Sequence, residues 1–254
     1  MNRVIESLLS HRTIRAFRPA RIDDAQLDAI LEAGTRAATS FQPYSFLVID
    51  DPEILEDVAM YNAPIAILVT IDVHRFGRYL ELHGASKPTD SPFYLLHAHW
   101  DALIALQNVV VAAESLGLGT VFIGRVHSMD LRKPLGLPEN VCPAGLVLIG
   151  HPTEPSPGRP RYRVPLEAVV HRNRYREPTD EELEAWYGRY KEMFDKHYEA
   201  LSDEEKEELA AEGIENGLQR FCHLEGTFFR EADEATLRNL QHGGFHVADW
   251  GTTA

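Results

Sequence analysis

The residues with the clearest capacity for chemistry lie in a short basic segment near the N-terminus. Residues 10–17 read Ser-His-Arg-Thr-Ile-Arg-Ala-Phe and place His11, Arg12, Thr13 and Arg15 within five positions. The planar guanidinium group of arginine suits a phosphate, and a nearby hydroxyl adds a further hydrogen-bond donor. Taken alone, the segment fits either an anion-binding turn or a solvated basic loop.

A second basic cluster comes after the strand predicted to end near residue 150. It reads Arg159-Pro160-Arg161-Tyr162-Arg163. Proline has a fixed φ angle, so it would hold the two guanidinium groups beside it apart. This cluster also fits either anion binding or simple solvation when it is taken alone.

Several well-known catalytic motifs are missing or incomplete in the sequence. Gly117 and Gly119 do not begin a G-x-G-x-x-G pattern, because position 122 is Phe122 and the segment follows a helix rather than a strand. There is no Walker loop and no G-x-S-x-G elbow. His97 and His99 lie two apart on a predicted helix and so point in different directions. We therefore expect neither a metal site nor a protein nucleophile.

Hydrophobic periodicity predicts the elements that must position these residues. Helices are predicted at 3–10, after Asp23 or Asp24, after Pro52 and at about 94–116, and strands at 44–50, 64–72, 119–123 and 144–150. Residues 74–92 contain several charges with glycine and proline, and they are predicted to form a surface excursion. The first basic segment thus follows a helix, and the second follows a strand.

The segment from about 94 to 116 gives the strongest helix signal in the chain. Its large apolar residues, among them Trp100, Ile104 and Val110, occupy most of the helix circumference. Such a helix belongs at the centre of a fold or at a subunit interface, so we predict burial on nearly every side. Gly117 is well placed to end it.

The chain changes in character after residue 175. Residues 176–254 carry 20 acidic and 8 basic side chains, and so account for most of the formal net charge of −14. Thr179 with Glu182, and Ser202 with Glu205, match the capping-box pattern and predict two helix starts. The end of the chain is predicted to be irregular. We therefore predict a core domain at 1–175 and an acidic helical extension at 176–254.

Composition limits the partners and the location of the protein. The chain has 254 residues, 44% of them hydrophobic and 25% charged, which is ordinary for a globular protein. The longest uncharged stretch, 58–71, is too short for a membrane-spanning helix, and the N-terminus meets a charge too early for a secretory signal. Two cysteines suit a reducing cytoplasm, and the acidic tail would be repelled by nucleic-acid phosphates. We expect a cytoplasmic protein that binds neither membrane nor nucleic acid.

Five segments, taken in their order, resemble the FMN-dependent nitroreductase family. They are 5–17 (IESLLSHRTIRAF), 42–46 (QPYSF), 107–119 with 122–124 (ending AAESLGLG and FIG), 150–152 with 159–161 (GHP and RPR), and 170–173 (VHRN) with Tyr175. The closer likeness is to the NADPH-preferring, oxygen-insensitive branch that includes flavin reductase P. The resemblance covers roughly residues 3–175, and its specificity lies in the order of the segments.

The resemblance implies an α+β fold, a three-layer sandwich in which helices flank a mixed sheet, assembled as an obligate homodimer. FMN would lie at the dimer interface, and the long apolar helix would be buried between the subunits. The enzyme would pass hydride from NAD(P)H through flavin N5 to an electron-poor acceptor, namely a nitroaromatic, a quinone or a flavin. The cycle would be ping-pong, and the chemistry would take place on FMN without a catalytic side chain.

The resemblance also assigns cofactor contacts to individual residues of this chain. The phosphate, the ribityl chain and one ring edge would be held by His11, Arg12, Thr13 and Arg15. The same phosphate would also be bound by Arg159 and Arg161. The flavin of the other subunit would be contacted by Thr39, Ser40 and Gln42. The backbone that approaches flavin N5 would be that of Ile123, Gly124 and Arg125, where glycine permits close contact. A cationic side chain, Arg12 or Arg15, would stabilise the anionic reduced flavin.

Two departures from the family pattern leave questions open. The branch has a glutamine near the flavin ring, and Tyr61 and Asn62 are the candidates to replace it here. The acidic tail offers no clear equivalent of the basic residues that hold the 2′-phosphate of NADPH, so the choice between NADPH and NADH is open. Two alternative functions are a flavin enzyme acting on enones or halogenated phenols and a non-catalytic FMN-binding dimeric scaffold.

Overall fold

The computed structural model describes residues 2–58, 60–86, 90–153 and 161–246 of the chain. These residues divide into two compact units. The first unit comprises the described residues within Met1–Pro160 and Ala232–Ala254, and the second is Arg161–Glu231. Residues 232–246 belong with the first unit, and the division into a core at 1–175 and an extension at 176–254 stays a prediction.

The described residues form eight α-helices and four β-strands. The helices are α1 (Arg3–Ser10), α2 (Asp24–Thr35), α3 (Pro52–Val58), α4 (His74–Leu82), α5 (Pro92–Ser115), α6 (Asp180–Glu199), α7 (Asp203–Ala211) and α8 (Gly217–His242). The strands are β1 (Tyr44–Ile49), β2 (Ile65–Asp72), β3 (Gly119–Ile123) and β4 (Val141–Gly150). Each helix and strand predicted from the sequence is confirmed, with ends that shift by a few residues.

The four strands form one sheet in the order β1-β2-β4-β3. Its three strand pairs are all antiparallel, which differs from the predicted mixed sheet. The reason lies in the connection that contains α5. This connection joins β2 to β3, which run in the same direction, but β4 lies between them and is antiparallel to both. Helices with an antiparallel sheet confirm the α+β class.

The sheet lies between two apolar cores, as the alternation of its residues requires. In β2, Ile65 and Ile67 belong to the first core together with α5, whereas Ala66 and Leu68 belong to the second core. The second core also contains Ile14 from the N-terminal basic segment. The hydrophobic pattern of the strands therefore holds that segment against one face of the sheet.

Helix α5 packs against the sheet on one side only. Nine of its residues are buried, including Val110, which is 4% exposed, so α5 is a core helix despite a length and apolar character that would also suit a membrane span. Trp100 is 52% exposed and Ile104 is 44% exposed. Burial on nearly every side is therefore not reached within one chain. We call the exposed apolar residues of α5 the α5 stripe; they are Phe93, Leu96, Trp100 and Ile104.

Two regions differ from the sequence prediction. Within the expected surface excursion, the described residues form helix α4, whose Phe76 stacks on Phe41 with ring centroids 5.0 Å apart. No helix is predicted individually over 217–242, where the structure has the long helix α8, whereas the chain at Gly243 and Gly244 is irregular as predicted. Just beyond these glycines, Phe245 is fully buried in the first core. The last residues described are thus part of the fold of the first unit.

Both predicted capping boxes are confirmed at the starts of α6 and α7. The Thr179 hydroxyl accepts from the Glu182 N–H at 3.3 Å, and the Glu182 carboxylate accepts from the Thr179 N–H at 3.0 Å. We expect Thr179→Ala to lower the free energy of unfolding by about 0.5–2 kcal/mol, because one helix N–H loses its partner. Thr179→Ser should retain most of that stability. Equal thermal midpoints for wild type and Thr179→Ala would contradict the prediction.

Candidate active site

The N-terminal turn, residues 11–17, is fixed to the sheet by buried anchors. Ile14 and Phe17 lie in the second core, and the Ile14 N–H donates to the Thr120 carbonyl at 2.8 Å. A side chain at Gly119 would come within 2.8 Å of Ile14, so glycine is required for this close approach. The residues around these anchors are exposed, and they include Arg12, Thr13 and Arg15. A fixed turn therefore presents basic and hydroxyl groups on its outer side.

The turn also pairs with the segment that follows β4. Phe17 forms an isolated antiparallel bridge with Pro152, and the Arg18 N–H donates to the His151 carbonyl at 2.8 Å. The second basic cluster comes a few residues later in the chain. Arg159 lies outside the described residues, and Arg161 is exposed at the start of the second unit. That the turn and this cluster bind the same phosphate stays a prediction.

A cavity of about 300 Å³ lies beside the turn. Its lining includes Ser10, Arg12, Ile14, Glu114 and Gly119. The His11 Nδ1 atom lies 2.7 Å from Glu114 Oε1, and the same oxygen accepts from Thr120 Oγ1 at 2.7 Å. Arg12 is the basic side chain of the turn that lines this cavity, and a guanidinium group suits an anionic phosphate.

The end of β3 provides open backbone near the same core. Ile123 is buried with Ile14 in the second core, whereas Gly124 and Arg125 are exposed. A Cβ atom placed on Gly124 would have no other atom within 4 Å. A flat ring could therefore approach the backbone here without meeting a side chain.

The segment 39–42 has two unusual features. The Thr39 hydroxyl oxygen is buried and has no hydrogen-bond partner, and Gln42 has a φ of +48°. Such a φ is uncommon outside glycine, and strained residues occur frequently at binding sites. The neighbouring Ser40 is exposed. This segment accordingly has a buried hydroxyl that is left to bind a ligand or another chain.

Arg75 fixes this segment and was missed by the sequence analysis. Its guanidinium donates to the Gln42 carbonyl at 2.7 Å and to Ser45 Oγ at 3.1 Å. The Asp72 carboxylate accepts from Ser45 Oγ at 2.5 Å and from the Arg75 N–H at 3.0 Å. Arg75 is 33 positions from Gln42 in the sequence, so no local spacing could reveal this contact.

The N-terminal turn and the segment 39–42 border different faces of the sheet. The Gln42 side chain donates to the Tyr44 hydroxyl at 3.4 Å, and Tyr44 belongs to the first core. Ile14 belongs to the second core. The two segments are thus anchored in different cores. Each would therefore form part of a different site, or of a site completed by a second chain.

The candidates for the missing glutamine occupy a strained turn. Tyr61 has a φ of +69° and Asn62 a φ of +54° in a single short 3₁₀ turn before β2. Left-handed conformations at two consecutive non-glycine residues cost energy that the surrounding structure must offset. Whether either side chain takes the place of the glutamine stays a prediction.

Comparison with known proteins identifies the family. The sequence profile of the nitroreductase family matches residues 8–151, more than half of the chain. The chain belongs to the nitroreductase family. The segments that it shares with the family thus include the N-terminal turn, the segment 39–42 and the end of β3.

Individual relatives agree with this assignment. An FMN reductase [NAD(P)H] of Bacillus subtilis is 36% identical over 69% of this chain and 75% of that protein. An NADPH-flavin oxidoreductase of Vibrio harveyi is 32% identical over 73% of this chain and 80% of that protein. The solved structure of Bacillus megaterium NfrA2 is 30% identical with a TM-score of 0.70, covering 80% of this chain and 87% of that chain.

Proposed function

We propose that this protein is an FMN-dependent NAD(P)H oxidoreductase that reduces small electron-poor acceptors, namely nitroaromatics, quinones or free flavin. Membership of the nitroreductase family and the relatives named as FMN reductases support the reaction class. The observation that carries the proposal is the N-terminal turn, which the sheet fixes while its arginine and threonine side chains remain exposed.

The residues present fit FMN by three separate criteria. Two guanidinium groups and a hydroxyl on the turn suit a phosphate. The orphaned hydroxyl of Thr39 has the chemistry of a donor for a carbonyl or hydroxyl of the cofactor. The space above Gly124 admits a flat ring. When bound, FMN supplies the hydride transfer, taking hydride from NAD(P)H at N5 and passing it to the acceptor.

The protein's own residues bind and orient the cofactor. The phosphate, the ribityl chain and one ring edge would be held by His11, Arg12, Thr13 and Arg15, and Arg12 or Arg15 would offset negative charge at that edge. The backbone of Ile123, Gly124 and Arg125 would be open to the ring of the cofactor. Arg159 and Arg161, if they lie near the turn, would also bind the phosphate. No side chain is needed as nucleophile or general base.

The working enzyme is a homodimer in the cytoplasm. The α5 stripe supports the dimer, because Trp100 and Ile104 are large apolar residues that a soluble protein rarely exposes together. Separate placement of the turn and the segment 39–42 supports a site completed by Thr39, Ser40 and Gln42 of a second copy. Two free cysteines support a reducing compartment.

The test combines a spectrum with steady-state kinetics. The purified protein should be yellow, or become so with FMN, and should oxidise NADPH or NADH when nitrofurazone or a quinone is added. A ping-pong cycle predicts parallel lines in double-reciprocal plots of the two substrates. A protein that binds no flavin would overturn the proposal. Bound FMN without turnover would favour a scaffold, and turnover confined to enones or halogenated phenols would change the acceptor class.

A further inference from the structure

Glu114 lies where a carboxylate is locally unfavourable. It is in the last turn of α5, where unsatisfied carbonyl groups give the helix end a partial negative charge. Its side chain is only 16% exposed. A largely buried carboxylate at this position needs compensating donors, and it has two, from the N-terminal turn and from β3.

The contact with His11 determines which ring nitrogen is available. Glu114 Oε1 lies 2.7 Å from His11 Nδ1, and a carboxylate accepts hydrogen bonds, so Nδ1 is the donor of this contact. A carboxylate facing Nδ1 fixes both the orientation of an imidazole and the tautomer with the proton on Nδ1. The Nε2 atom, on the opposite edge of the ring, has no hydrogen-bond partner among the described residues. It is therefore the ring nitrogen left to meet a ligand.

Glu114 is also linked to the backbone of the turn through Thr120. The Thr120 hydroxyl donates to Glu114, while the Thr120 carbonyl accepts from the Ile14 N–H at 2.8 Å. One carboxylate is thus tied to the turn at His11 directly and at Ile14 through Thr120. The residues between these two points are Arg12 and Thr13.

We propose that Glu114 is a positioning residue that pre-organises the N-terminal turn for the cofactor. It orients His11 so that Nε2 faces the ligand, and with Thr120 it fixes the backbone that carries Arg12 and Thr13. Binding is then stronger because the turn need not be ordered when the ligand arrives. This inference rests on the proposed function, since FMN is the ligand that the turn receives.

The test is a double-substitution cycle on FMN affinity, measured by quenching of flavin fluorescence in apo-protein. Glu114→Gln has nearly the same shape, and it should raise the dissociation constant about tenfold or more. In a His11→Ala background the same substitution should have a much smaller effect, because the oriented ring is gone. A matched control is Glu234→Gln, which removes an exposed carboxylate near Arg238 on α8 and should leave affinity unchanged.

Two further measurements keep the inference open to refutation. Thr120→Val should weaken FMN binding in the same direction, and it serves as the test if Glu114→Gln fails to fold. Long-range ¹⁵N–¹H spectra of the apo-protein should show the His11 proton on Nδ1, with that signature lost in Glu114→Gln.

The outcomes separate this inference from the function on which it rests. Wild-type protein that binds no FMN would overturn both. Normal FMN binding by wild type and by Glu114→Gln alike would leave the proposed function intact and overturn the positioning role. An equal loss of affinity with and without His11 would also overturn it, because it would make Glu114 merely structural.

Discussion

Arg15→Ala weakens FMN binding by about ten- to a hundred-fold, because a charged hydrogen bond to phosphate contributes about 1.5–3 kcal/mol. Arg15 is exposed, and it has no hydrogen bond or ion pair with another described residue. Its loss therefore removes a ligand contact without removing a contact of the fold. Arg12→Ala and Arg161→Ala should act in the same direction if they share the phosphate. Fluorescence titration of the apo-protein with FMN measures the dissociation constant of each variant.

Two matched variants make this prediction specific. Arg21→Ala removes an exposed arginine that pairs with Asp24 at 2.8 Å outside the turn, and its FMN affinity should equal that of wild type. Arg15→Lys keeps the charge but loses the planar guanidinium group, so its affinity for FMN should lie between those of wild type and Arg15→Ala. If Arg12→Ala, Arg15→Ala and Arg161→Ala all bind FMN as wild type does, the phosphate assignment is wrong.

The second large effect concerns the α5 stripe. Ile104→Glu should raise the dimer dissociation constant about a hundredfold or more, because an unpaired buried charge costs about 3–5 kcal/mol. In a two-fold dimer the change occurs on both chains. Sedimentation at micromolar concentration should then show monomers, and FMN should be lost if the site needs a second copy.

The position of the substitution matters for this test. Val110 lies on the same helix but is buried in the first core, so Val110→Asp would unfold the chain rather than separate subunits. Leu166→Glu is the matched control, because Leu166 is a large exposed apolar residue outside the stripe. A variant Ile104→Glu that stays dimeric and flavin-loaded would show that the stripe is not the interface.

Local patterns were sufficient to predict most elements of the fold. The capping boxes at Thr179 and Ser202 depend on side chains three residues apart, and the buried strand β2 is one continuous apolar run. Helix α8 was missed because its apolar residues are sparse and Gly226 interrupts it. Its end is held by tertiary contacts, above all the burial of Phe245, which no local signal reports.

The candidate site was predictable only in part. The exposed arginines of the turn could be read from residue type and family likeness, because a basic segment after a short helix is a local feature. The contacts that hold the site in place are long-range. Arg75 reaches Gln42 across 33 positions, and Glu114 reaches His11 across 103. Exposure of the α5 stripe was also hidden, since an apolar sequence does not say which chain buries it.

The two cysteines of the chain lie in contrasting surroundings. Cys142, in β4, is buried, and burial raises the pKa of its thiol to about 12, whereas Cys222 on α8 is exposed. Gly243 packs directly against Cys142, so the end of the chain covers this thiol. Because the thiolate is the reactive form, an alkylating reagent modifies Cys222 in the native protein and reaches Cys142 only after that cover lifts. The rate of this second, slower modification therefore measures how often the end of the described chain is released from the sheet.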